Sequence, residues 1–108
     1  MKRYGMVVKV RPDKLEEYKR LHARVWAGVL KTIRECNIRN YSIFNKDGYL
    51  FSYFEYAGND FDADMARMAA EPVTQKWWGV CVPCLDPLPT RAEGEKCWAA
   101  MEEVFHCE

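Results

Sequence analysis

The runs IRNYSIFN and YLFSYFEY, joined through Asn45-Lys46-Asp47-Gly48, leave each other as the natural pairing partner. Both are rich in β-branched and aromatic residues, and Asp-Gly supplies the positive φ angles that a tight hairpin turn requires. The two runs are therefore expected to pair antiparallel. In the second, Tyr49, Phe51 and Tyr53 fall on one face, Phe54 and Tyr56 on the other. Both faces of the sheet thus carry aromatic groups. Helices on one side would leave the other side bare, a liability unless something covers it. The simplest cover is a second copy of the chain, which predicts a homodimer packed sheet against sheet.

Periodicity assigns the flanks of this hairpin. Tyr4, Met6, Val8 and Val10 alternate with Arg3, Gly5, Lys9 and Arg11, and only Val7 breaks the pattern of a strand with one buried face. Pro12, Asp13 and the acidic residues after them mark a helix start. Leu15, Tyr18, His22, Val25, Val29 and Ile33 then recur at steps of three and four, which predicts one continuous helix fading near Asn37. GNDFDADMARMAA reads as the next helix, with Asn59 as its cap and Phe61, Met65, Met68 and Ala69 on its buried side. Pro72 opens a further helical turn, PVTQKWWGV. A proline-rich loop runs from Pro83 to about Gly94, and the tail MEEVFHCE is expected to return as a short final strand. The order β–α–β–β–α–β is the split βαβ motif of a ferredoxin-like α+β sandwich. A chain of 108 residues suits one such domain, spanning 1–108.

Sixteen basic residues balance sixteen acidic ones, so nucleic acid or an anionic membrane, both of which need a basic surface, is not the expected partner. A small neutral molecule or another protein is the expected partner. The apolar run of MKRYGMVVKV is interrupted by Lys9 and is too short for a signal peptide, and nothing approaches a membrane span. A cytoplasmic location is expected. Cys36, Cys81, Cys84, Cys97 and Cys107 form an odd set, unlike a disulfide scaffold. CVPC at 81–84 is half of a zinc signature without a matching second pair, and it precedes a proline-rich segment rather than opening a helix. Free thiols are the expected state, with no metal site.

Tyr18 and His22 lie four apart on the expected helix, so their side chains are neighbours, and Trp26 is four further on. Histidine is the side chain best matched to exchanging protons near neutral pH. By spacing alone, a core histidine satisfied by its neighbours explains the pair more simply. Tyr41 in the second strand reads as a half-buried ring with a wet hydroxyl. Trp77 and Trp78 point about 100° apart on a helix, so one can be buried while the other lines a pocket or faces a partner. Flat indoles also suit the C–H face of a sugar ring. The paired acids Glu16, Glu17, Glu102 and Glu103 read as solvated charge. No glycine-rich phosphate loop is present, and no cofactor is implied.

The chain resembles the L-rhamnose mutarotase family. The resemblance covers most of its length and rests on VRPDKLEEYKRLHARVW, NIRNYSIF, QKWW and the closing EEVF. It implies a dimeric ferredoxin-like α/β barrel and interconversion of the α and β anomers of L-rhamnose, or of a related 6-deoxyhexose such as L-fucose. It also implies His22 as the proton donor, with Tyr18, Tyr41, Trp77 and Trp78 contacting the sugar. The chain departs from the family at Ala27, where proline usually follows the tryptophan, in a shorter hairpin, and in the segment from Cys81 to Cys97. Two other classes share the expected fold or ligand. One is the small monooxygenases and haem-degrading enzymes, with His22 or His106 as axial ligand. The other is a sugar-sensing domain without catalysis.

Overall fold

In the computed structural model, which describes residues 1–108, β1 (Lys2–Val10) turns Val8 and Val10 into the core as its alternation predicts. The hairpin strands are β2 (Ile38–Lys46) and β3 (Tyr49–Tyr56), joined by Asp47 and Gly48 at φ 55° and 83°. Two successive positive φ angles match the twist of the flanking strands and fix the register, with Lys46 opposite Tyr49 and Phe44 opposite Phe51. β3 pairs antiparallel with β1, from Lys2 opposite Tyr56 to Lys9 opposite Tyr49. The sheet order is β2–β3–β1, followed by two short strands that share the remaining position, β4 (Leu85–Asp86) and β5 (Ala99–Met101). Both run antiparallel to β1. This is the ferredoxin-like α+β arrangement the sequence predicts.

Several details differ from the sequence reading. The single helix expected from Leu15 to Ile33 is two, α1 (Leu15–His22) and α2 (Ala27–Glu35). Trp26, between them, is extended at φ −61° and ψ 138°, and its carbonyl accepts the first amides of α2 from Val29 and Leu30. The break turns the Trp26 indole onto Trp77, which it meets edge-on. The next helix, α3 (Phe61–Ala70), is capped by Asp60 rather than Asn59; the Asp60 carboxylate accepts from the Ala63 amide at 3.2 Å. Ala69 is exposed, whereas Phe61, Met65 and Met68 pack against Ile38, Phe54 and Tyr56. The expected turn after Pro72 is a full helix, α4 (Pro72–Cys81). Glu71 caps it through the amides of Val73 and Thr74 at 3.0 and 2.9 Å. The proline-rich loop contains β4, which the pattern missed because two residues carry no period. The final strand ends at Met101, and the rest of the tail is exposed without pairing.

The main core lies between α1, α2, α4 and one face of the sheet, around Val8, Val10, Tyr18, Leu50 and Trp77. Glu71 also accepts from the Thr32 hydroxyl at 3.3 Å, tying α4 to α2. Gly28 permits the close approach of these helices, since a Cβ there would lie 3.1 Å from Val73 Cγ1. On the other face of the sheet Phe44, Tyr49 and Phe51 stay exposed. No helix is long and apolar enough to cross a membrane.

Candidate active site

His22 is the last residue of α1, and one turn of helix brings it over Tyr18. The two rings stack with centroids 4.1 Å apart and 26° between their planes. The edge of His22 meets Trp77 at 5.2 Å, and Trp26 meets the same indole at 5.2 Å from another side. His22 Nδ1 lies 2.8 Å from the Tyr18 carbonyl oxygen. A carbonyl only accepts, so Nδ1 carries the proton, and in the neutral ring Nε2 keeps its lone pair. Burial holds the His22 pKa below its ordinary value, a pull only partly offset by the bond to Tyr18. The ring is therefore neutral at neutral pH, with one nitrogen ready to accept.

Tyr18 is itself inside the core, at 6% exposure. Its phenol pKa is pushed well up, first by burial, then by the neighbouring Tyr41 and Cys81. Tyr41 reaches this neighbourhood from β2, on the helix-covered side of the sheet, and meets Phe54 edge-on at 5.6 Å. The residue remains 44% exposed, while its hydroxyl end is enclosed enough that desolvation, then Cys81, raises its pKa. Cys81 is pushed up to about 12, mainly by burial, and is a neutral thiol wall rather than a nucleophile. Both phenols are thus protonated donors at neutral pH.

The structure brings His22, Tyr18 and Trp77 into direct ring contact and sets Tyr41 beside them. Trp78 is 40% exposed and takes no part in these ring contacts. Sequence reasoning treated Cys81 only as a possible metal or redox thiol, although its place four residues after Trp77 put both on one face of α4. All five cysteines carry free thiols. A hollow of about 500 Å³ lies instead against Tyr4, Tyr56, Gly58 and Phe61. It is a broad depression in which the Tyr56 hydroxyl is already tied to Asp64. The half-buried imidazole among aromatic walls is the better-equipped place for proton chemistry.

The sequence pattern of the L-rhamnose mutarotase family matches residues 3–107. An L-rhamnose mutarotase of Oceanobacillus iheyensis is 30% identical over 110 residues, covering 100% of both chains. One of Burkholderia ambifaria is 35% identical over 97 residues, 88% of each chain. Among solved structures, the L-rhamnose mutarotase of Formosa agariphila superposes with a TM-score of 0.78 at 21% identity, over 100% of both chains. The tetracenomycin F2 cyclase of Streptomyces glaucescens, at TM-score 0.71 and 16% identity, shares the fold alone. Matched along nearly its whole length, the chain belongs to the L-rhamnose mutarotase family, and with it to the isomerases.

Proposed function

We propose that the chain is an aldose mutarotase acting on L-rhamnose or a related 6-deoxyhexose such as L-fucose, with His22 as its proton carrier. The observation that carries this reading is the state of His22: a neutral imidazole whose Nδ1 is fixed on Tyr18 and whose Nε2 is an acceptor. Opening a cyclic sugar moves one proton from the anomeric hydroxyl to the ring oxygen. Nε2 takes the hydroxyl proton as the C1–O1 double bond forms, and the imidazolium returns it to the ring oxygen as the C1–O5 bond breaks. Both oxygens sit on one carbon, so one positioned group serves both. A depressed pKa makes the imidazolium a willing donor, in keeping with His22 as the acid at the ring oxygen. Rotation about C1–C2 turns the carbonyl, and the reverse steps close the ring as the other anomer.

The remaining residues hold the sugar. Tyr41, with its partly open ring and protonated hydroxyl, is the better placed of the two phenols to orient or relay. Tyr18 supports His22 from beneath, while Trp77 forms the wall beside the imidazole. Trp78 offers an exposed indole as a further sugar contact. The bare aromatic face of the sheet favours a homodimer, and the free thiols fit a reducing compartment such as the cytoplasm. Exchange spectroscopy on the anomeric protons of L-rhamnose tests the proposal. Catalytic amounts of protein are expected to speed anomer exchange well beyond buffer. Exchange at the buffer rate for both L-rhamnose and L-fucose sinks it.

A further inference from the structure

The register of β2 steps just before Tyr41. Ile38 and Arg39 pair with Tyr56 and Glu55, but Ser42 pairs with Tyr53, so Asn40 and Tyr41 together face the single residue Phe54. Two residues opposite one make a β-bulge, and Asn40 adopts the left-handed region at φ 51°. The consequence is one of parity. In an unbroken strand, Ile38 and Asn40 would share the helix-covered face and Tyr41 would point to the bare one. The bulge reverses this, and Tyr41 packs edge-on against Phe54 with centroids 5.6 Å apart.

The bulge is held from the far side of the sheet. Asn40 Nδ2 donates to Glu55 Oε1 at 2.7 Å, while the Tyr53 hydroxyl donates to Oε2 of the same carboxylate at 2.7 Å. Asparagine suits the position twice over. It tolerates the left-handed conformation better than other side chains, and its amide reaches the carboxylate. The geometry points to Asn40, anchored by Glu55, as a positioning residue for the mutarotase reaction that aims Tyr41 into the site from behind. This rests on the reading of Tyr41 as a sugar contact.

Asn40→Val tests it, because a β-branched side chain opposes positive φ and removes the anchor. Two readouts are needed: the nuclear Overhauser effect between the Tyr41 and Phe54 rings, and saturation kinetics of anomer exchange. Asn40→Val is expected to abolish the Overhauser effect and to lower kcat/KM by about tenfold or more. Asn40→Gly, which keeps the positive φ but gives up the anchor, should weaken the effect without abolishing it and lower kcat/KM by no more than about threefold. In a Tyr41→Phe background, Asn40→Val should cost less than about twofold, since nothing remains to be aimed. An equal loss in both backgrounds overturns the proposal in favour of a general structural role. A wild-type Overhauser effect in Asn40→Val overturns it as well. If Asn40→Val fails to fold, Glu55→Ala must weaken the effect and lower kcat/KM by more than about twofold; wild-type values for both overturn the proposal. Wild-type turnover in Tyr41→Phe, where Asn40→Val does separate the two rings, shows instead that Tyr41 is no sugar contact, and the bulge then has no part in the reaction.

Discussion

His22 is tied by Nδ1 to the carbonyl of Tyr18, so its other nitrogen decides how activity depends on pH. Burial lowers its pKa below the ordinary imidazole value, and the acceptor form therefore predominates at neutral pH. On the reading of His22 as proton carrier, kcat/KM for anomer exchange should be flat above neutrality. It should fall as pH drops through the depressed pKa, below the value for a free imidazole. A profile measured by exchange NMR between about pH 5 and 8 checks this, and a rise toward acid would contradict it. The sign for folding is the same. Between the folded and unfolded pKa values the unfolded chain binds more protons, so stability rises with pH across that interval. His22→Gln, which keeps a polar group of similar reach, is expected to lose about 10²–10⁴ of the rate.

At the scale of elements, the break between α1 and α2 places Trp26 against Trp77. Trp26 has the extended backbone that a residue before proline must adopt, at φ −61° and ψ 138°, and Ala27 is the first residue of α2. Proline fits that position without losing a helical hydrogen bond, and the resemblance places proline there in the family. Ala27→Pro is therefore expected to stabilise the chain by about 0.4–1 kcal/mol by restricting the unfolded state, read as a rise of a few degrees in Tm. A lower Tm would mean the break is not held as described. The same break shows where sequence reasoning stops. The steps of three and four from Leu15 to Ile33 continue straight through Trp26, because periodicity records which residues are buried, not whether the axis bends. That Tyr18 and His22 are neighbours was legible from helical spacing, whereas Trp77 as a wall beside them followed only from the resemblance. The strand parity of Tyr41 was not, since the bulge at Asn40 adds a residue that alternation cannot count. The hairpin was legible because Asp-Gly has few other uses; β4 was not, because only its partner β1 makes it a strand.

For the whole molecule, the open face of the sheet is the largest demand the fold leaves unmet. Phe51 sits at its centre, opposite Phe44 on β2 and Val7 on β1, and stacks with Tyr49 at 6.4 Å. Phe44 is 65% exposed and Phe51 37%, so this patch meets water in a single chain. Packing against a second copy around a two-fold axis would bring the patch onto itself and remove both from water. A single chain has a mass of 12.7 kDa, and light scattering after size exclusion is expected to give about twice that. Phe51→Lys places an unpaired charge at the centre of the proposed interface, where desolvation costs several kcal/mol. Phe51 faces away from the helices, so the substitution leaves the core around Val8 and Leu50 untouched. The variant should therefore keep wild-type far-UV circular dichroism while running as a monomer. A wild type that is monomeric at micromolar concentration would overturn the homodimer, and a Phe51→Lys variant that stays dimeric would place its interface elsewhere; either outcome leaves the aromatic face to some other partner.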